Sequence, residues 1–170
     1  MKEHKGGGFM ENVLLVAKYI CDLYYANSGE KIDELKLHKL LYFVQRESLA
    51  STNKPLFQEA MQGWVHGPVS PEVRKYFYNG EMKMDFPGNL SQDSKILIGG
   101  IVEKYGGIAS WKLRELSHKE ISWQNSRVGL SPREMGQEEL KIEDIRKDSE
   151  KVRPFDYQWG MYYDEMEDAE

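Results

Sequence analysis

Apolar residues return every three or four positions in the first part of the chain. They stand at Val13, Val16, Ala17, Ile20, Leu23 and Tyr24. This spacing predicts an amphipathic helix with one buried face, and Asn27, Ser28 and Gly29 are predicted to end it. Cys21 lies beside this face, where a thiol behaves as a small hydrophobic group. We therefore interpret Cys21 as a core residue and not as a nucleophile.

A second stretch with helical spacing begins near Asp33, whose side chain suits an N-cap. Its apolar residues are predicted to face the core: Leu37, Leu40, Leu41 and Val44. The cations between them are predicted to face water: Lys36, Lys39 and Arg46. The segment Asn53-Lys54-Pro55 is predicted to end this helix.

The helical period is lost over residues 56–66 (LFQEAMQGWVH), which read as extended chain. We predict a short hairpin or edge strand there, turning at Gly67-Pro68. Ser70-Pro71 predicts the start of a third helix, because serine caps free amides and proline fits the first turn. Ser91 predicts a fourth.

Weaker signals follow in the second half of the chain. A fifth short helix is predicted to end near His118. A further helix begins either at Ser131, where a capping-box spacing occurs, or later, around residues 142–147. The fold class is therefore mainly α (α+β), a compact bundle of five to six helices with a small β hairpin or edge strand and an extended C-terminal tail.

Three segments are predicted along the chain. Residues 1–9 contain three consecutive glycines and are expected to form a flexible arm, and residues 10–150 form the helical domain. Residues 151–170 form a tail in which large side chains alternate, at Phe155, Tyr157, Trp159, Met161 and Tyr163. Either the tail packs on its own domain as a strand or arm, or it docks on a partner.

Composition narrows the class of protein. Of 170 residues, 40% are hydrophobic and 30% are charged, which indicates a globular domain. Acids outnumber Lys and Arg by 28 to 23, and five of these acids lie in residues 161–170. The remainder is neutral, which argues against a general polyanion binder. A lone cysteine and an N-terminus without an apolar signal core favour a cytoplasmic protein.

No motif predicts catalysis, a cofactor or a metal site. The phosphate loop, dinucleotide fingerprint, zincin helix, paired CxxC and nucleophile elbow are absent from the sequence, and the four histidines lie in different segments. His118 could act as an acid or base near Trp123, but a histidine that ends a helix and bonds a carbonyl is the preferred interpretation. We therefore expect a protein that is not an enzyme.

Residues 36–77 carry a recognisable pattern. It consists of the run Lys36-Leu37-x-Lys39-Leu40-Leu41-Tyr42, then Lys54-Pro55-Leu56-Phe57, then Trp64-x-x-Gly67-Pro68-Val69, and downstream Leu116-Ser117-His118-x-Glu120-x-x-Trp123. Together these resemble the signature blocks of the Panacea antitoxin domain, which occurs in SocA-like antitoxins and GepA-type phage-associated proteins. This chain departs from that pattern at His38, where Gln is usual, at Ile121-Ser122, where Pro commonly precedes the tryptophan, and in its tail.

The resemblance implies a mostly helical frame that neutralises a toxin by direct binding, with delivery of the toxin to a protease as a further role of SocA-like members. Two alternatives stay open: a phage counter-defence, anti-CRISPR-like inhibitor whose tail blocks the nucleic-acid channel of a host nuclease, and a nucleic-acid-binding regulator. We expect aromatic residues to bind the partner. The candidates are Trp64, Tyr76, Tyr78, Phe155, Tyr157, Trp159 and Tyr163. Nucleic acid is the less favoured partner, and no membrane is expected.

Overall fold

The computed structural model describes residues 10–152 and the backbone of residues 155–156 and 161–162. The predicted mainly α fold is confirmed, with small two-stranded antiparallel sheets beside the helices. Within the described ranges the helices are α1 (Val13–Ser28), α2 (Glu34–Thr52), α3 (Pro71–Arg74), α4 (Gln92–Tyr105), α5 (Ser110–His118), α6 (Ile121–Ser126) and α7 (Ile142–Ser149). The strands are β1 (Gln62–Trp64), β2 (Gly67–Val69), β3 (Phe77–Tyr78), β4 (Glu81–Met82), β5 (Phe155–Asp156) and β6 (Met161–Tyr162). The predicted arm, residues 1–9, lies outside the described residues.

Side chains cap the helices where the sequence predicts it. Asp33 accepts a hydrogen bond from the backbone N–H of Lys36 at 2.8 Å, and Ser70 and Ser91 cap α3 and α4 in the same way. Gly29 ends α1 in the left-handed conformation at φ 73°. These local signals set the helix boundaries because each satisfies a backbone group that the helix leaves free.

Helix α2 lies at the centre of the fold, in contact with α1, α4, α5, α7 and β2. Every residue from Lys36 to Leu49 is buried. The prediction for the apolar positions is confirmed, but the prediction that Lys36, Lys39 and Arg46 face water is wrong. Because α2 is covered on all sides, these cations find partners inside the protein instead of in solvent.

The apolar core is built mainly from α1, α2 and α4. It contains the predicted α1 residues, with Leu23 and Tyr24 partly buried against it. Cys21 belongs to this core, and burial raises the pKa of its thiol to about 12. The thiol is therefore protonated at neutral pH, as expected for a core residue.

The predicted hairpin is confirmed, but its turn is not where the sequence suggested. Trp64 pairs with Gly67 in the antiparallel ladder, so the connection is Val65-His66 and Gly67-Pro68 belong to β2. Gly67 has φ 109°, and an added Cβ would come within 2.5 Å of the Lys39 side chain. Gly67 therefore serves the close approach of β2 to α2.

In the second half of the chain the structure decides between two alternatives and adds one helix. The capping-box spacing at Ser131 forms one turn, in which the Ser131 N–H donates to Glu134 Oε2 at 3.0 Å, and no helix follows. The later alternative, α7, is the helix that forms. Helix α6 was not predicted, because its six residues are too few to show a helical period.

Two short strands lie within the predicted tail. Phe155 pairs with Tyr162 and Asp156 with Met161 in an antiparallel ladder, so the two segments run in opposite directions. Both described segments are therefore extended, and the choice between a tail that packs on its own domain and one that docks on a partner stays a prediction. Tyr157, Trp159 and Tyr163 lie outside the described residues.

Candidate functional site

A groove of about 810 Å³ opens on the face where β1, β2, α3 and α5 meet the first turns of α2. The loop of residues 131–136 forms its outer wall. It is lined by Glu34, Leu35, His38, Lys39, Trp64, Val65, His66, Val69, Arg74, Arg114, Pro132, Arg133, Met135 and Gly136. Its size is in the range of cavities that hold a ligand or a short peptide segment.

Lys39 reaches the groove from the central helix and is fully buried. Its Nζ donates to the backbone carbonyl of Pro68 at 2.9 Å, which ties α2 to the hairpin. Burial, together with the neighbouring charge of Arg114, lowers the pKa of Lys39 to about 7. A lysine with this pKa carries only a partial charge at neutral pH, and a nearby anion would restore the full charge.

Glu34 supplies the carboxylate among the groove residues, and it is already engaged. Its Oε1 accepts from Arg74 at 2.8 Å and lies 3.4 Å from Nε2 of His38. The hydrogen bond with His38 lowers the pKa of Glu34. Nδ1 of His38 accepts from the backbone N–H of Ser70 at 3.2 Å, so His38 joins α2 to the start of α3. Burial lowers the pKa of His38, which favours its neutral form in this bridge.

Two arginines complete the cationic lining. The Nε of Arg114 donates to Nδ1 of His66 at 3.0 Å, and Arg133 is exposed on the outer wall. Within residues 10–152, Lys39, Arg114 and Arg133 form no ion pair with a carboxylate. Arg74 lies over the ring of Trp64, 5.1 Å from its centroid. The groove therefore combines apolar walls with an excess of positive charge.

Trp64 is held in place by the second sequence block. The indole Nε1–H of Trp123 donates to the backbone carbonyl of Trp64 at 2.8 Å. The Trp123 ring stacks on His118 with centroids 3.9 Å apart and planes 6° apart. His118 ends α5 as predicted, but within the described residues its ring stacks and does not bond a carbonyl. Burial and the charge of Arg114 lower its pKa to about 4, so the imidazole is neutral at pH 7.

A second charged cluster lies further along α2 and is enclosed. The Tyr42 hydroxyl lies 2.8 Å from Glu120 Oε2 and 2.9 Å from Asp148 Oδ2, and Arg46 donates to Glu120 Oε1 at 3.0 Å. Asp148 also accepts from the backbone N–H groups of Ile121 and Ser122, at 2.7 and 2.9 Å. Burial raises the pKa of Tyr42, so its hydroxyl stays protonated and donates. We call Tyr42, Arg46, Glu120 and Asp148 the buried network; it joins α2, α6 and α7.

The predicted partner-binding residues are not brought together in the described structure. Trp64 is half-buried and lines the groove. Tyr76 is half-buried and its ring contacts Phe86, and Tyr78 is 70% exposed on β3; neither lines the groove. The side chains of Phe155, Tyr157, Trp159 and Tyr163 lie outside the described residues.

Arg114 and Arg133 were not predicted as members of a site. They lie on α5 and on the loop of residues 131–136, and no local spacing relates them to Trp64 or Lys39. Most residues of the family motif belong to the scaffold. Leu37, Leu40, Leu41 and Tyr42 are buried in the core, and Gly67, Pro68 and Val69 form β2. In residues 10–152 no three His, Cys, Asp or Glu side chains are grouped closely enough to hold a metal ion. No helix of that same range is long and apolar enough to cross a membrane.

Comparison with known proteins identifies one family. No curated protein and no solved structure matches the chain. The family model described as "Antitoxin SocA-like, Panacea domain" matches residues 37–124, slightly more than half of the 170 residues. The matched segment begins in α2 and ends in α6, and it contains both Trp64 and Trp123. The chain therefore belongs to the SocA-like antitoxin family with a Panacea domain.

Proposed function

We propose that this protein is an antitoxin that neutralises a cognate toxin by binding it directly, without catalysing a reaction. The match of residues 37–124 to the Panacea domain is the observation that carries the proposal. The toxin would be encoded beside this gene, on a phage or another mobile element. The complex would form in the cytoplasm, where such a toxin acts.

The geometry supports a binding role for the groove. Trp64, Arg74, Arg114 and Arg133 line it, and tryptophan and arginine are the residue types that most often dominate interface energy. The hydrogen bond from the Trp123 indole to the Trp64 carbonyl fixes the backbone of Trp64. A preformed anchor of this kind lowers the entropy cost of binding. We therefore place the toxin contact at the groove.

The buried network supports a role as scaffold and not as a catalytic centre. The carboxylates of Glu120 and Asp148 are almost fully buried and hydrogen-bonded to side chains or backbone N–H groups. A general acid or base needs access to a substrate, which these groups lack. His118, the other candidate, has an enclosed Nε2 and a ring stacked on Trp123.

The nucleic-acid alternative loses part of its support. It relied on Lys36, Lys39 and Arg46 of α2, which are buried, and on Arg74 and Lys75, which are exposed. The nuclease inhibitor that acts through its tail stays a prediction, as does delivery of the toxin to a protease. Both concern residues or partners beyond the described chain, and the groove favours neither of them over direct toxin binding.

Co-expression with the product of the neighbouring gene tests the proposal. The expected result is restored growth and a complex that stays together on size-exclusion chromatography. Trp64→Ala should weaken the complex at least about tenfold, since interface tryptophans commonly contribute 2 kcal/mol or more. Trp111→Ala is the matched control, because Trp111 is 63% exposed and lies outside the groove.

Two results would contradict the proposal. One is a toxin that stays active and unbound in the presence of the wild-type protein. The other, which concerns the place of binding alone, is an equal loss of affinity for the Trp64 and Trp111 variants. Circular dichroism of each variant establishes that the fold is intact before affinities are compared.

A further inference from the structure

The groove carries more positive charge than the described residues neutralise. Lys39, Arg74, Arg114 and Arg133 line it, whereas Glu34 is already shared by Arg74 and His38. Three of these cations have no carboxylate partner among residues 10–152. Cations gathered in a concave apolar site raise the local positive potential. Such a site favours a segment that has several carboxylates and some apolar side chains.

A segment with this composition is present in the same chain. Residues 163–170 read YDEMEDAE, with five acids, no Lys or Arg, and the apolar or aromatic side chains of Tyr163 and Met166. They follow directly on β6, which ends at Tyr162. The excess of acids over bases in the whole chain is also five. The negative charge is thus concentrated in the segment that complements the groove.

The tail leaves the described domain after α7. The described domain ends at Val152, just after α7. The backbone N–H of Val152 donates to the carbonyl of Ser149, the last residue of that helix. Helix α7 packs on α6, and α6 packs on β1, which carries Trp64. Eight extended residues span roughly 26 Å at about 3.3 Å each, so residues 163–170 have the length to follow a groove on a domain of this size.

We propose that residues 163–170 of this chain bind in the groove, with their carboxylates beside Arg114 and Arg133 and with Met166 or Tyr163 against the apolar walls. The tail then covers the surface that we assign to the toxin, and the two compete for it. The tail contact itself does not depend on a toxin. An experiment that excludes the tail contact therefore leaves the proposed antitoxin function untouched, and the reverse also holds.

Disulfide trapping in the full-length protein tests this contact without altering any charge. Met135 lines the groove and is 76% exposed, so Met135→Cys combined with Met166→Cys places one thiol on each side of the contact. The control pair is Val128→Cys with Met166→Cys, because Val128 is 80% exposed and lies outside the groove. Cys21 is buried and reacts poorly in both proteins. We expect a cross-link within one molecule, in at least about tenfold higher yield for the groove pair, from its higher effective concentration.

The charge requirement provides a second measurement. Adding Arg114→Gln and Arg133→Gln to the groove pair should lower the yield about five- to tenfold, since each lost ion pair weakens the contact. Adding Lys119→Gln, an exposed cation outside the groove, should leave it unchanged. Raising the salt concentration from 0.05 to about 1 M should also lower the yield, because salt screens exposed charges.

Three outcomes would overturn the proposal. Equal yields for the Met135 and Val128 pairs would show that residue 166 has no preference for the groove. A yield that is insensitive to Arg114→Gln and Arg133→Gln would show that charge does not hold the segment. Cross-links found only between two molecules would assign the groove to the tail of a second copy and not to its own chain.

Discussion

Two regions along α2 differ in how their charged side chains are neutralised. In the buried network, Arg46 is matched by Glu120, and the backbone N–H groups of α6 are matched by Asp148. In the groove, Lys39 has a carbonyl partner but no carboxylate among residues 10–152. Tyr42 of the network follows Lys39 by three positions, about one helical turn. Charge that is neutralised internally fixes the fold, whereas Arg114 and Arg133, which have no carboxylate partner among residues 10–152, are available to an anionic partner.

The network is the region where a single substitution should have the largest effect. Glu120→Ala removes the carboxylate that pairs with Arg46 and Lys151 and leaves the Arg46 guanidinium buried without its counterion. We expect the free energy of unfolding to fall by about 3–5 kcal/mol. Urea denaturation measures it, with the exposed Glu150→Ala as the control, expected within about 0.5 kcal/mol of wild type. A loss below 1 kcal/mol for Glu120→Ala would mean that the network does not hold the helices together.

The burial of Lys39 without a counterion should appear in the pH dependence of stability. Its pKa is about 7 in the folded protein and 10.5 in the unfolded chain, so the unfolded chain binds more protons between these two values. Stability contributed by the Lys39 position therefore rises with pH from about 7 to 10.5, by up to about 1.4 kcal/mol per pH unit. Lys39→Met should lack this rise, and exposed Lys119→Met should retain it. Parallel curves for wild type and Lys39→Met would show that Lys39 keeps its ordinary pKa.

The arginines of the groove should affect binding but hardly affect stability. Arg114→Gln with Arg133→Gln should weaken the toxin complex by about tenfold, and mostly by faster dissociation, while the free energy of unfolding changes by less than about 1 kcal/mol. Surface plasmon resonance and urea denaturation measure the two effects. The reverse result, a large loss of stability with unchanged binding, would place these arginines in the scaffold.

His118 gives the smallest expected effect, and it lies between the two regions. Its pKa is about 4 in the folded protein and 6.5 in the unfolded chain, so the unfolded chain binds more protons between these values and stability falls as the pH drops from 6.5 to 4. His118→Phe keeps a ring against Trp123 but cannot titrate. The difference in unfolding free energy between wild type and His118→Phe should therefore change over this window by less than the Lys39 effect, because His118 is only half-buried. A constant difference would exclude His118 as a titrating group there.

Local signals in the sequence were sufficient for most helix boundaries. Asp33, Ser70 and Ser91 cap helices in the structure as predicted, because a cap depends on neighbours within three or four residues. The apolar faces of α1 and α2 were predicted for a similar reason, since periodicity is a local property. The family resemblance on residues 36–77 and 116–123 was likewise readable from the chain and is confirmed by the match to residues 37–124.

Most residues of the candidate site could not be predicted from the sequence. Trp64 was predicted as a partner-binding residue, but nothing in the spacing of the chain placed Arg114 and Arg133 beside it. These residues come from segments 50 and 69 positions further along, and only the packing of α5 and of the loop of residues 131–136 on the hairpin brings them together.

The amino-acid sequence by itself determined the helical class, the caps, the apolar core and the family, because each depends on residue type and on short-range spacing. The tertiary structure alone decided what the charged residues do. Lys36, Lys39 and Arg46 have the pattern of a solvated helix face, yet they are buried because helices distant in the chain cover α2 on every side. Whether a cation meets water, a buried carboxylate or an open groove depends on those long-range contacts, which no local pattern encodes.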